Sequence, residues 1–238
     1  MLSYQHAYHA GGPADVHKHA LLQLALTLLA GKAKPFAVID VHAGEGAYAL
    51  ARPEAEKTAE YRRGIARLWP AGEDDGALGP YLNIVRAANP GGALAIYPGS
   101  PAFIRACLRD NDRIILNELH PAAATALRRW VGNDPRIAIH KRDADEALRA
   151  LVPPEIRRGL VLIDPSYEGR DSYAETAAAD WKSATAAGVS FVAAPVFDIL
   201  AFRQLIPAHF SHLQCFTRQM FRVQSVKSTH RSEEHTYE

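Results

Sequence analysis

Five short apolar runs punctuate the chain, each ending in an acid or a turn residue: PFAVID (35–40), RIILNE (113–118), RIAIHKRD (136–143), GLVLID (159–164) and VSFVAAPV (189–196). Runs of this length, rich in Val and Ile, predict strands buried on both faces. Between them the spacing turns helical, in PAAATALRRWV (121–131), ADEALRAL (144–151) and YAETAAADWKSATAA (173–187). Strands alternating with helices predict an α/β fold built on a parallel, doubly wound sheet. Ahead of the first strand, ALLQLALTLLAG (20–31) predicts a buried helix with Asp15 near its start and Gly31 as its stop. That segment is too short to span a bilayer, and Gln23 and Thr27 interrupt it. No small-residue cleavage site follows it, so neither a membrane span nor a signal peptide is expected.

Residues 50–100 break the alternation. AEKTAEYRRGIARLW (55–69) has helical spacing with Ile65, Leu68 and Trp69 on one face, and YLNIVRAAN (81–89) predicts a second helix. The stretch between them, PAGEDDGALGP, is acidic and rich in Gly and Pro, as a loop is. A small helical insertion between the first and second strands is therefore expected.

The 238 residues suit one large α/β domain, and an apolar share of 48% against a charged share of 22% predicts a soluble, well-filled core. A net charge of +1 excludes a global field that would recruit a polyanion. Any nucleic-acid surface must come from local pairs such as Arg62-Arg63, Arg128-Arg129, Lys141-Arg142 and Arg157-Arg158, each of which, taken alone, is simply a solvated helix end. Two separated cysteines, Cys107 and Cys215, suggest neither a CxxC pair nor a disulfide framework, and a reducing cytoplasm is the expected setting. His9, His17 and His19 come without the Cys cluster or spacing of a metal site, so no metal is expected.

Ligands of open α/β sheets bind beyond the carboxyl ends of the strands. Asp40, Glu118, Asp143 and Asp164 all fall there. Any one of them is as readily a helix cap; four on one edge point to a site. The first strand leads into DVHAGEGAY, where Gly44 and Gly46 permit a tight turn and a close ligand approach. A third glycine is missing, with Leu50 near its place, His42 sits inside the turn, and the next strand-end acid lies far beyond the usual twenty or so residues. A cofactor with a ribose and an adenine but no pyrophosphate fits better. Glu118 would hold the ribose and Asp143 the adenine amine, as for S-adenosylmethionine. The fourth acid opens D-P-S-Y (164–167), which is similar to the D/N-P-P-Y/F/W loop of amino-methyltransferases acting on adenine N6. The Asp164 carboxylate and the Pro165 carbonyl would accept the two N–H bonds of a planar amine, and Tyr167 would stack on a flipped base. Ser166 replaces the second proline and costs the loop some stiffness.

Several unusual blocks occur together and in order: MLSYQHAYHAGGPADVHKHALL, DVHAGEGAY, EKTAEYRRGIARLW, YPGSP, NELHP and RRGLVLIDPSYE. Over roughly residues 1–200 the chain thereby resembles the RlmJ family, bacterial 23S ribosomal RNA adenine-N6 methyltransferases. The resemblance implies a Rossmann-like class I S-adenosylmethionine-dependent methyltransferase fold over residues 1–210, with 50–100 as the helical insertion. It implies that His19, His42, Ser100, Glu118, Asp143, Ala144 and Asp164 line the cofactor site. Tyr4, His6 and Lys18 would lie near the substrate base, with Asp164, Pro165 and Tyr167 at the reacting amine. A cytoplasmic, monomeric enzyme on 23S ribosomal RNA, away from membranes, is the expectation. The resemblance fails after about Phe210. Residues 211–238 contain no glycine, show no hairpin signal, and include RSEEHT, the translation of a commonly used sequencing adapter. They are expected to be an atypical, non-native tail. Two rival functions are a DNA adenine-N6 methyltransferase using the same loop and a non-catalytic RNA-binding remnant.

Overall fold

A computed structural model describes residues 5–69, 75–164 and 192–193. The chain divides into two units, 1–195 and 196–238, and all described residues belong to the first. Its strands are β1 (Ala37–Asp40), β2 (Ala47–Ala49), β3 (Ile96–Pro98), β4 (Arg113–Asn117), β5 (Ile137–His140), β6 (Gly159–Leu162) and β7 (Val192–Ala193). Five of them form one sheet in the order β5-β4-β1-β6-β7, every neighbouring pair parallel. The order reverses beside β1, whose Asp40 pairs in register with Leu116 of β4 and Leu162 of β6. A crevice outside the carboxyl ends follows from that reversal.

The α/β expectation holds, and the long helices are α1 (Pro13–Ala30), α3 (Gly79–Ala87), α5 (Pro121–Val131) and α6 (Ala144–Leu151), with the shorter α2 (Pro53–Thr58) and α4 (Ser100–Ala106). Helices α5 and α6 match their predicted bounds. Each starts on a side-chain cap: His120 accepts from the Ala123 N–H, and Asp143 from the Asp145 N–H. Ile39, Val41, Val161 and Ile163 pack against Ala147 and Leu148 of α6. By the two-residue period of a strand, Val38 and Asp40 face the other way. There α1 and α4 pack together, burying Leu22 and Leu26 of the one and Phe103 and Ile104 of the other. Full burial of each such side chain is worth about 1.5–3 kcal/mol. The predicted helix over 173–187 lies outside the described residues.

Between β1 and β4 the structure departs from the expected pattern twice. Strands β2 and β3 pair antiparallel, Tyr48 opposite Tyr97, as a ribbon of three residues a side. Runs so short show no period. Residues 55–69, expected as one helix, form α2 and then two separate 3-10 turns at 60–62 and 65–67. The helix stops at Ala59, in the left-handed region at φ +49°. Tertiary contacts impose the break. The Thr58 hydroxyl donates to the Tyr8 carbonyl, Glu60 meets His9 at 3.0 Å, and the Ile65 N–H donates to the Gly11 carbonyl at 2.9 Å. Backbones approach so closely here that a Cβ on Gly64 would lie 2.1 Å from the Gly11 oxygen. A straight helix could not follow residues 8–12.

Candidate active site

The carboxyl edge of the sheet gathers the four acids onto adjacent strand ends. Asp40, wholly buried, accepts the Ser100 hydroxyl at 2.6 Å and the His42 N–H at 3.1 Å. Burial pushes its carboxyl up to about 6, against the opposing pull of those two hydrogen bonds. Glu118 lies half-buried just past β4. One of its oxygens accepts the Gly44 N–H at 2.8 Å and the other the His120 N–H at 2.7 Å. Two backbone donors thus fix the carboxylate while each oxygen keeps a further lone pair for a ligand. Asp143 is exposed and caps α6, whose first residue is Ala144. Asn117, an ordinary strand end in the sequence, stitches these strand ends together. Its amide donates to the carbonyls of Val41 and Arg142 and accepts from the Arg142 N–H, all within 3.2 Å.

The glycine turn has a different cause from the one its sequence suggests. Gly44 and Gly46 both have positive φ, +65° and +86°. A Cβ on Gly44 would lie 2.0 Å from the Tyr48 hydroxyl oxygen, and one on Gly46 would lie 2.7 Å from the Trp130 indole. Tyr48 in turn accepts the Glu45 N–H at 3.0 Å, and the Gly46 carbonyl accepts the Gly99 N–H at 2.9 Å. The protein's own aromatic side chains therefore fill the space beside both glycines.

Asp164, two residues beyond β6, is held at two points. Its backbone N–H donates to His42 Nδ1 at 3.2 Å, and its carboxylate accepts Lys18 Nζ at 2.5 Å. An acceptor Nδ1 requires a neutral imidazole, and burial pushes the His42 pKa down accordingly. Lys18 also reaches Asp15, one turn earlier on α1, at 2.8 Å. Burial opposes the Lys18 charge, yet Asp15 and Asp164 outweigh it and raise its pKa well above the usual lysine range. Burial likewise opposes the Asp15 charge, but His6 and Lys18 hold that carboxyl well below its ordinary value. His6 Nε2 meets Asp15 at 2.9 Å, and the His6 ring lies 5.2 Å from that of Tyr48. One chain of contacts thus runs Tyr48, His6, Asp15, Lys18, Asp164.

His19 is wholly buried among aromatic rings, bonded through Nδ1 to the Tyr97 hydroxyl at 2.9 Å and stacked on Phe103 at 4.8 Å. Burial and the neighbouring Lys18 hold its pKa well below the usual value, and its Nε2 has no hydrogen-bond partner among the described residues. Of the residues expected at the site, His6, Lys18, His42 and Asp164 are joined by direct contacts or through Asp15, and Ser100 joins His42 through Asp40. Glu118 is tied to the glycine turn, and Asp143 with Ala144 stands on the next strand end. Tyr4, Pro165 and Tyr167 lie outside the described residues. Among the described residues, no group of three or more His, Cys, Asp or Glu side chains is placed to hold a metal ion.

A family model described as "Ribosomal RNA large subunit methyltransferase D, RlmJ" matches residues 33–224. Two curated relatives are both named "Ribosomal RNA large subunit methyltransferase J". The Escherichia coli protein is 45% identical over 173 residues, and the Haemophilus influenzae protein 42% over 174. Each match covers 73% of this chain and 62% of the relative, so the chain spans less than two thirds of their length. A crystal structure of a Legionella pneumophila protein superposes with a TM-score of 0.70 at 34% identity, over 77% of this chain and 68% of that one.

Proposed function

The chain belongs to the RlmJ family of ribosomal RNA large subunit methyltransferases, and on that premise we propose that it methylates N6 of an adenine in 23S ribosomal RNA, with S-adenosylmethionine as donor. The observation that carries this reading is Asp164, a carboxyl group paired with Lys18 at the carboxyl end of β6, beside the reversal of the sheet. An exocyclic amine is a weak nucleophile because its lone pair is delocalised into the ring. The Asp164 carboxylate and the Pro165 carbonyl accept its N–H bonds and stabilise the positive charge that builds on nitrogen. Tyr167 stacks on the flipped base, and Tyr4, His6 and Lys18 border it.

When bound, S-adenosylmethionine supplies an electrophilic methyl group. The residues present suit it. Glu118 is pre-set by two backbone donors for ribose hydroxyls, and the buried Nε2 of His19 lacks, among the described residues, a partner that a polar ligand would provide. Asp143 and Ala144 border the adenine, while His42, Ser100 and Asp164 line the remainder. In this reading residues 1–210 form the methyltransferase domain, 50–100 its insertion and 211–238 an atypical tail, into which the family match runs as far as residue 224. The enzyme is cytoplasmic and monomeric; no helix among the described residues is long and apolar enough to cross a membrane.

The test is methyl transfer from labelled S-adenosylmethionine to protein-free 23S ribosomal RNA and to duplex DNA, by the parent and by Asp164→Asn. RNA is labelled by the parent, and labelling falls by at least about 100-fold in the variant. Transfer to DNA alone would identify a DNA enzyme. Cofactor binding without transfer to either would leave an RNA-binding remnant.

A further inference from the structure

Trp130 stands outside the residues that resemblance assigns to the site, yet it touches the turn on which the site depends. It lies on α5, whose core-facing side chains are Ala124, Leu127 and Val131, and is itself only half-buried. Its indole lies so close to Gly46 that an added Cβ would meet three ring atoms at 2.7–3.0 Å. The Arg105 guanidinium covers the same indole at 5.4 Å from the ring centroid, and Arg105 is held by Asp134 at 3.4 Å. Asp134 is in turn gripped by Arg136 at 2.7 Å. Covered by a guanidinium that is itself salt-bridged, the indole forms a fixed wall rather than a mobile surface ring.

What that wall supports is the turn from Gly44 to Gly46. At its far end the Gly46 carbonyl takes the Gly99 N–H, and at its near end the Gly44 N–H donates to Glu118. A glycine turn with two positive φ angles has little rigidity of its own, so its shape must be imposed by neighbours. Tyr48 imposes it at Gly44 and Trp130 at Gly46. We propose that Trp130 is a positioning residue for the cofactor turn, holding Gly46 so that the Gly44 N–H keeps Glu118 aimed at its ligand. The ligand half of this inference rests on the proposed S-adenosylmethionine site; the turn half rests on geometry alone.

The experiment therefore has two readouts on the full chain: amide hydrogen exchange without ligand, and calorimetric affinity for S-adenosylhomocysteine, which binds without turnover. In Trp130→Ala, exchange over residues 43–47 rises at least about tenfold while β4 residues 113–117 stay at parental rates. Affinity falls at least about tenfold. Trp130→Phe, which keeps an aromatic face on Gly46, restores both to within about threefold. Arg105→Ala loosens the same turn more mildly and decides the matter if Trp130→Ala fails to fold. Unchanged exchange in the turn, or a uniform rise across the protein, overturns the proposal. A parent that shows the exchange pattern but binds no S-adenosylhomocysteine overturns the cofactor reading and the assignment of Trp130 to affinity with it.

Discussion

Replacing Lys18 by methionine removes the cation shared by Asp15 and Asp164 while keeping a side chain of similar length. At 2.8 Å, the attraction to Asp15 alone is about 6 kcal/mol at an effective dielectric constant of about 20. The second carboxylate adds to it. Against this stands the cost of burying the charge of a lysine whose side chain is only 9% exposed, several kcal/mol, which the methionine does not incur. The balance is a loss of about 3–5 kcal/mol at pH 7, the usual result of stranding a buried charge. The loss depends on pH. In the parent, the raised Lys18 pKa means its contribution is complete below the unfolded lysine value and fades only as pH climbs through the higher folded one. The lowered Asp15 pKa gives a contribution complete above the unfolded carboxylate value and lost only as pH falls through the folded one. Between about pH 4 and 9 neither group tilts the parent's stability. Without Lys18, burial at Asp15 is opposed chiefly by His6, and its carboxyl titrates higher than in the parent, so protonation relieves the variant in acid. Urea denaturation at pH 7 and near pH 4 therefore gives a large difference that shrinks on acidification. A difference below about 1 kcal/mol at pH 7, or one that is the same at both pH values, would refute the electrostatic account.

Asp40→Asn can preserve both hydrogen bonds, accepting from the His42 N–H and donating to the Ser100 oxygen, while removing the charge. Because the folded pKa of Asp40 is raised to about 6, the native parent binds an extra proton between about 4 and 6 and its stability falls as pH rises through that window. Relative to the parent, the variant gains up to about 3 kcal/mol from pH 4 to pH 7 in a denaturation series; a flat difference counts against the raised pKa. Gly46→Ala meets Trp130 at 2.7 Å at a φ of +86°, and a thermal melt shows a loss of more than about 1 kcal/mol; parental melting would contradict the packing. Asn117→Ala leaves the Arg142 N–H and the Val41 carbonyl without their partner, a loss of about 1–3 kcal/mol in chemical denaturation. Parental stability would show that water replaces the amide there.

Local pattern was enough for much of this architecture. The span 121–131 shows its helix through regular spacing after a proline, and 144–151 through an acid placed to cap it. Strands β1, β4, β5 and β6 fall inside the predicted apolar runs, most plainly β1 and β6, where burial of every residue leaves few polar choices. The acids at their ends stand out for the same reason. The missing features have no local trace. Lys18 and Asp164 are 146 positions apart, and nothing near either residue names its partner. The break at Ala59 is dictated by residues 8–12, which reach it only in three dimensions. Asn117 looks like an ordinary strand end until its carbonyl partners are seen, and Trp130 looks like one more residue on a helix. The glycine turn shows its shape in the sequence, with Tyr48 close by, but the ring that fills the space at Gly46 comes from Trp130 on α5.

The place of β1 in the sheet also sets a timetable for the nascent chain. Its two neighbours, β4 and β6, are both translated after it, β4 beginning at Arg113 and β6 at Gly159. At roughly 5–20 residues per second, the central strand waits several seconds with both edges open before its first partner leaves the ribosome. The intervening ribbon and helices emerge during that wait; in the folded protein α2 packs against the 3-10 turn at His6–Tyr8 and α3 and α4 pack against α1, contacts that need no completed sheet. A ribosome paused between β4 and β6 would display one long-exposed edge, the state most open to capture by a chaperone or by another chain.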